Sequence, residues 1–256
     1  YNMALTLFLL VPSVTQSFGV SALPSVTRAF QTGDSQKLKR TVEAVLRITF
    51  LTALPMGVGL SVLAQPAALL IYGARPGTVI VGRVLTALGA ASVFAALCGP
   101  LNSILQAMGH VELPVALTLI GLFVKAVLDY TLAAVPRVNV LGGAVGTLVC
   151  YALASLLACI AIRRIAGVKI DFFSTFKKPF LASVCCGVAA LLTHKAWCAV
   201  LPESRFSALP AVFLGALIYV VFLLIARGIC EEDIKALPNG EKITKRLEKY
   251  LQKAGG

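Results

Sequence analysis

The sequence predicts an all-α membrane protein, a polytopic bundle of about seven transmembrane helices. Of its 256 residues, 58% are hydrophobic and only 13% are charged, whereas soluble domains carry about 25% charged residues. The apolar residues form long blocks of about 20 residues, the length that a helix needs to cross the bilayer core. Helical spans are expected because unpaired backbone amides in lipid cost several kcal/mol.

Seven blocks meet this length, and some are interrupted by a proline, a glycine or a polar residue. We predict spans at about residues 4 to 27, 48 to 72, 84 to 108, 114 to 135, 140 to 162, 179 to 200 and 208 to 227.

Most of the basic residues fall on one side of the membrane in the predicted topology. With these spans, 17 of the 23 Lys and Arg residues fall on one side of the membrane and five on the other, with Lys125 inside a span. The positive-inside rule places the richer side, including the carboxyl terminus, in the cytoplasm. The net charge of +12 therefore indicates membrane topology, and no nucleic acid partner is predicted. The same topology puts Tyr1 on the outer side, so we expect further helices to precede this chain.

The first span contains Pro12 and Pro24 with Gln16 between them. Each proline removes a backbone hydrogen bond and clashes with the preceding turn, so a bent helix is expected. Gln16 is a candidate cavity residue, and static packing is the alternative.

The third span carries a polar stripe of Cys98, Asn102 and Gln106 at four-residue steps. Asn102 and Gln106 are candidate cavity residues. Hydrogen bonds between membrane helices contribute only about 0.6 to 2 kcal/mol, so packing between helices is a sufficient alternative explanation.

Lys125 is the most informative position because it lies near the middle of the fourth span. An ionised side chain there costs about 2.5 to 3.5 kcal/mol even on the lenient insertion scale. Asp129 is four residues further on, so the two groups share a helix face. Lys125 contributes to a site for an anionic substrate, or the pair responds to ions or protons, or the pair is a structural ion pair that holds the lobe together. These alternatives stay open.

Arg28 and Arg47 flank the first basic loop. Guanidinium groups bind phosphate oxygens bidentately, so both are candidates for a pyrophosphate carrier. Ordinary anchoring at the headgroups is the simpler interpretation.

No catalytic residue, metal site or cofactor is predicted. The seven cysteines lie almost entirely in apolar spans and lack metal-ligand spacing. No nucleophile with a base, carboxylate pair or phosphate loop stands out, so an enzyme is not predicted.

Several stretches resemble one family. They are the first segment, YNMALTLFLLVPSVTQSFGVSALPSVTRAFQTGDSQKLKR, then residues 53 to 73, LNSILQAMGHVELPV, residues 121 to 151, and the tail EEDIKALPNGEKITKRLEKYL. In order and spacing they are similar to the stage V sporulation protein B and lipid II flippase (MviN-like) group of the multidrug, oligosaccharidyl-lipid and polysaccharide exporter superfamily. The group often carries charges near the outer start of the first of these helices, whereas residues 1 to 8 have none.

The resemblance implies a fourteen-helix transporter of two lobes, with helices 8 to 14 in this chain and the first helix on the cavity wall. Residues 1 to 166 would form the second-lobe bundle, 167 to 228 an extra pair of spans, and 229 to 256 a basic amphipathic tail on the cytoplasmic leaflet. The amino-terminal lobe of the same protein would be a partner.

It further implies a flippase that moves a lipid-linked oligosaccharide, polysaccharide or peptidoglycan precursor by alternating access in a bacterial plasma membrane. Its partners would be that substrate and the membrane lipids. The alternatives are a cation-coupled multidrug exporter and a membrane scaffold without transport.

Overall fold

A computed structural model describes residues 1–75, 77–133, 139–167, 172–200 and 208–225, and these residues are helical apart from short turns and helix ends. The helices are α1 (Asn2–Phe8), α2 (Leu10–Gln31), α3 (Ser35–Val62), α4 (Ala64–Tyr72), α5 (Thr78–Ala107), α6 (Glu112–Ala133), α7 (Asn139–Ala166), α8 (Phe172–Val200) and α9 (Ala208–Ile225).

The predicted membrane bundle is confirmed. Six helical stretches are long and apolar enough to cross a bilayer, with α1 and α2 counted together as one. The seventh predicted span corresponds to α9, an apolar helix of 18 residues. The predicted basic tail lies outside the described residues.

Two of the predicted spans are interrupted for the same reason. The first span breaks at Leu9 and the second at Leu63, in each case three residues before a proline, Pro12 or Pro66. A proline cannot donate a hydrogen bond to the carbonyl four residues earlier and clashes with it, so the helix ends there and begins again. The sequence predicted a bent helix at Pro12 and Pro24; the structure breaks the helix at Leu9, before Pro12, and continues it through Pro24.

The predicted basic loop after the first span is mostly helical. A short turn at residues 32 to 34 contains Gly33 with a φ of 69°, and α3 begins directly after it. The Asp34 side chain accepts a hydrogen bond from the Lys37 backbone nitrogen at 2.9 Å and caps the new helix. The loop expectation was wrong because it followed the polar composition and overlooked Leu38 and Val42, which are buried against the bundle.

Helix α5 is the centre of the bundle. It packs against α1, α2, α3, α4 and α7, and 67% of its most apolar stretch is buried. Helix α6 lies at an edge, where it packs almost entirely on α7 and only 6% of the corresponding stretch is buried. Helices α8 and α9 pack on each other, and α8 packs on α3.

One end of the bundle carries most of the described cations, and we call it the basic end. Buried residues from the end of α2, the start of α3 and the ends of α5 and α7 form one cluster there. Its exposed cations are Arg28, Lys37, Arg40, Arg163, Arg164 and Lys177.

Candidate functional site

Helix α2 has an exposed polar face along most of its length. Ser13, Gln16, Ser17, Ser21 and Ser25 are all exposed, and we call these five residues the α2 polar face. Ser13, Ser17, Ser21 and Ser25 recur every four residues along one side of the helix, and Gln16 lies beside them, three residues after Ser13. The face ends at Arg28, exposed in the last turn, and four of its residues line an open depression of about 480 Å³.

The opposite side of α2 is fixed to the bundle by close backbone contacts. The Thr15 hydroxyl donates to the Ala96 carbonyl of α5 at 2.9 Å, and the Thr27 hydroxyl donates to the Ala107 carbonyl at 3.2 Å. Between them, a Cβ added to Gly19 would lie 2.7 Å from the Pro100 Cα. These contacts set the rotation of α2 and so turn the polar face away from the bundle.

The α2 polar face keeps hydrogen-bonding capacity available. Ser13 and Ser21 donate to the carbonyls of Leu10 and Phe18 within the helix, which leaves their oxygens able to accept. The side chains of Gln16 and Ser17 make no hydrogen bond to any described residue. Because hydrocarbon offers no partner to such groups, the face requires water or a polar ligand beside it.

Lys125 and Asp129 form an ion pair on α6. Lys125 Nζ donates to Asp129 Oδ2, and the two side chains are 23% and 36% exposed. The four-residue spacing predicted that the two groups share a helix face, and in the structure they form an ion pair. The two opposite charges, one helical turn apart on α6, therefore largely compensate each other.

The pair sits against a glycine of the neighbouring helix. A Cβ at Gly146 of α7 would overlap Asp129 Oδ1 and lie 3.5 Å from the Lys125 Cγ. Asp129 Oδ1 is buried and has no hydrogen-bond partner among the described residues. Gly121 of α6 is similarly close to the Cys150 carbonyl, at 2.9 Å for an added Cβ.

The role of Gly146 was missed by sequence reasoning. The available signal was the Gly142-x-x-x-Gly146 spacing within an apolar span, a pattern of small residues that lets membrane helices approach closely.

The other candidate residues are spread over the bundle. Asn102 is half-buried and Gln106 is exposed on α5. Cys98 of the same stripe donates to the Tyr151 carbonyl of α7 at 3.7 Å, so part of the stripe serves helix packing. Arg47 is half-buried on α3. The structure does not join these residues to the Lys125 and Asp129 pair.

No group of three or more His, Cys, Asp or Glu side chains that could hold a metal ion occurs in the part of the chain that the structure describes. The polar side chains described above offer hydrogen bonding and charge.

Comparisons with known proteins agree with this architecture. A family model described as "MurJ: Lipid II flippase MurJ" matches residues 1–219. The chain is 24% identical over 241 residues to "Stage V sporulation protein B" of Bacillus subtilis (strain 168), which covers 92% of this chain and 44% of that protein. It is 24% identical over 156 residues to "Lipid II flippase MurJ" of the same organism, covering 60% of this chain and 28% of that protein.

A solved structure, "Lipid II flippase MurJ, inward closed conformation", has the same fold. It superposes with a TM-score of 0.70 at 19% identity and covers 88% of this chain and 46% of that one. The chain thus spans less than half the length of the relatives it matches. Since the family model covers most of the sequence, this multi-pass membrane chain belongs to the lipid II flippase MurJ family.

Proposed function

We propose that this chain is the carboxyl-terminal half of a two-lobe flippase that moves a lipid-linked saccharide or peptidoglycan precursor by alternating access. The observation that carries the proposal is the α2 polar face. A membrane-length helix that exposes hydroxyl and amide groups over several turns needs an aqueous path beside it. An amino-terminal lobe placed opposite this face would complete the path, and the matched relatives are long enough to hold one.

The proposed orientation puts the basic end in the cytoplasm of a bacterial plasma membrane. Arg28, Arg163 and Arg164 are exposed at that end, as the positive-inside rule requires of a cytoplasmic surface. Residues 229 to 256 would lie on the same leaflet, held by anionic lipid. Residues 1 to 166 remain the proposed second-lobe bundle and residues 167 to 228 the proposed extra pair.

The candidate residues take different parts in this proposal. Gln16 lines the path with the serines of the α2 polar face, and Arg28 meets the phosphate groups of the carrier where the path opens to the cytoplasm. Asn102 and Gln106 extend the polar lining along α5, and Arg47 anchors α3 at the headgroups. Lys125 and Asp129 hold α6 on α7, close to but separate from the substrate.

Translocation by the full-length protein tests the proposal. Proteoliposomes would carry a fluorescent lipid-linked saccharide, and arrival at the far leaflet would be read from its accessibility to an impermeant glycosidase. We expect wild-type protein to move it and the variant Gln16→Leu with Ser17→Ala to slow it at least about tenfold, because two polar groups of the path are lost.

The matched control is Thr193→Val, which removes a hydroxyl from α8. That hydroxyl donates to the Ala189 carbonyl at 2.8 Å, within its own helix, so the rate should stay unchanged. If the wild-type protein binds the lipid-linked saccharide and never moves it, the chain belongs to a scaffold and the proposal is wrong.

A further inference from the structure

A second surface of the bundle is apolar and concave. A groove of about 670 Å³ lies between α3, α5, α7 and α8, and we call it the apolar groove. Its volume is within the range of about 300 to 1,000 Å³ that is usual for ligand sites. Its lining is almost wholly aliphatic and aromatic, and includes Phe50, Leu54, Leu97, Leu156, Phe176 and Phe180.

The length of the apolar groove matches one leaflet. Along α3 it extends from Phe50 to Ser61, which at about 1.5 Å per residue is about 16 Å. The hydrocarbon core of a bilayer is about 30 Å thick. The groove therefore accepts an extended hydrocarbon chain of the leaflet that borders the basic end.

Three aromatic rings form the wall of the groove near the basic end. Phe50 and Phe176 make an edge contact with ring centroids 5.3 Å apart, and Phe176 stacks on Phe180 at 5.0 Å. Phe180 is 45% exposed. An apolar wall of this kind, left open to the membrane, is suited to contact with an acyl chain.

The mouth of the groove at the basic end is surrounded by cations from three helices. Arg163 lies one turn beyond the lining residue Cys159, and Lys177 is next to Phe176; both cations are exposed. Arg47 lies one turn before Phe50. This mouth matches a phosphate group with a negative charge.

The groove and the α2 polar face lie on opposite sides of the contact between α3 and α5. Gly57 and Gly89 mark that contact, since a Cβ on Gly57 would lie 2.9 Å from the Gly89 carbonyl oxygen. Helix α2 packs on one side of it through Thr15 and Gly19. No residue of the α2 polar face lines the groove, so a lipid whose phosphate stays at the mouth of the groove lies outside the proposed path.

We propose that the apolar groove binds an anionic phospholipid of the host membrane, with one acyl chain along Phe176 and Phe180 and the phosphate between Arg163 and Lys177. The occupant is a resident lipid and not the translocated substrate, because of this separation. Such a lipid bridges α3, α7 and α8 and joins the extra pair to the bundle.

Lipid binding to the purified full-length protein tests the inference without any transport step. Native mass spectrometry would compare phosphatidylglycerol with phosphatidylethanolamine of identical acyl chains. We expect a tight site that prefers phosphatidylglycerol. The double variant Arg163→Gln with Lys177→Gln should weaken phosphatidylglycerol binding about fivefold for each cation. Phosphatidylethanolamine binding should weaken less, because its ammonium group compensates the charge of its phosphate, so the preference between the two lipids should be lost. The matched control is Arg83→Gln, which removes an exposed cation at the opposite end.

A second pair of variants tests whether an acyl chain occupies the apolar groove. Ala90 lines the groove and is exposed, so Ala90→Phe should occupy it and weaken both lipids about tenfold. Ala126→Phe makes the same change on an exposed position of α6 outside the groove and should bind as wild type. If Ala90→Phe lowers the melting temperature more than Ala126→Phe does, Ala90→Leu replaces it.

Three results would overturn the inference. They are equal binding of the two phospholipids to the wild-type protein, an unchanged preference in the Arg163 and Lys177 double variant, and competitive displacement of phosphatidylglycerol by a lipid-linked saccharide. The last would assign the groove to the substrate. A failure of the wild-type protein to flip a saccharide would leave the binding result standing, so the two proposals fail independently.

Discussion

Two polar features of the described membrane helices, one on α6 and one on α2, differ in how they are satisfied. On α6, the charged side chains of Lys125 and Asp129 form an ion pair that packs against Gly146 of α7. A Cβ added to Gly146 would overlap the Asp129 carboxylate. On α2, the uncharged Gln16 and Ser17 stay exposed without a partner among the described residues. A charge costs more to leave unpaired in a membrane than a hydroxyl does, which accounts for a packed ion pair on α6 and an exposed neutral face on α2.

The largest effect on stability should come from Gly146→Ala. The added Cβ overlaps Asp129 Oδ1, so α6 must move away from α7 or the ion pair must break, at an expected loss of about 2 to 3 kcal/mol. The measurement is unfolding of the full-length protein in mixed micelles. Gly59→Ala is the control, since a Cβ there meets nothing within 4 Å; it should be neutral or stabilise by up to about 1 kcal/mol. Equal effects of the two substitutions would show that α6 and α7 are not in close contact.

An intermediate effect is expected for Lys125→Met, which leaves the Asp129 carboxylate without its cation. Because both side chains are partly exposed, we expect a loss of about 1 to 2 kcal/mol, below the cost of breaking a fully buried pair. Adding Asp129→Asn to Lys125→Met should recover most of the lost stability, and the double-mutant cycle gives the coupling energy between the two residues. A double variant that is stable and still fails to translocate would assign Lys125 to the substrate instead of to the ion pair.

The smallest effect on stability is expected on the α2 polar face. Replacing Ser13, Ser17 and Ser21 together with alanine removes exposed hydroxyls and leaves the buried contacts of Thr15 and Gly19 in place. Substitutions at such sites usually change stability by less than about 0.5 kcal/mol each. The same unfolding assay, run beside the translocation assay, should show near-normal stability with slower transport. A large loss of stability would mean that this face is packed against another part of the protein.

Much of the fold could be read from the sequence. Blocks of apolar residues of membrane length predicted the spans, and the six long stretches are confirmed. The i to i+4 spacing of Lys125 and Asp129 predicted a shared face, because helical geometry fixes that neighbourhood whatever the surroundings. Pro12 interrupts its span because the defect is local to the backbone.

Other features of the fold could not be predicted from the sequence. The start of α3 at Ser35 depends on burial of Leu38 and Val42 against the other helices, which a polar composition hides. In the same way Thr15 and Ser17 differ little in polarity, yet one is buried against α5 and the other is exposed.

The sequence by itself determined the class of this protein, the spans and the pairing of neighbours along a helix, since transfer from water to hydrocarbon and helical spacing act on each segment alone. Only the tertiary structure decided which face of α2 is open, that Gly146 receives the ion pair, and that Phe50 meets Phe176 across an apolar groove. These contacts join residues far apart in the chain, and their energies depend on the rotation and spacing of whole helices.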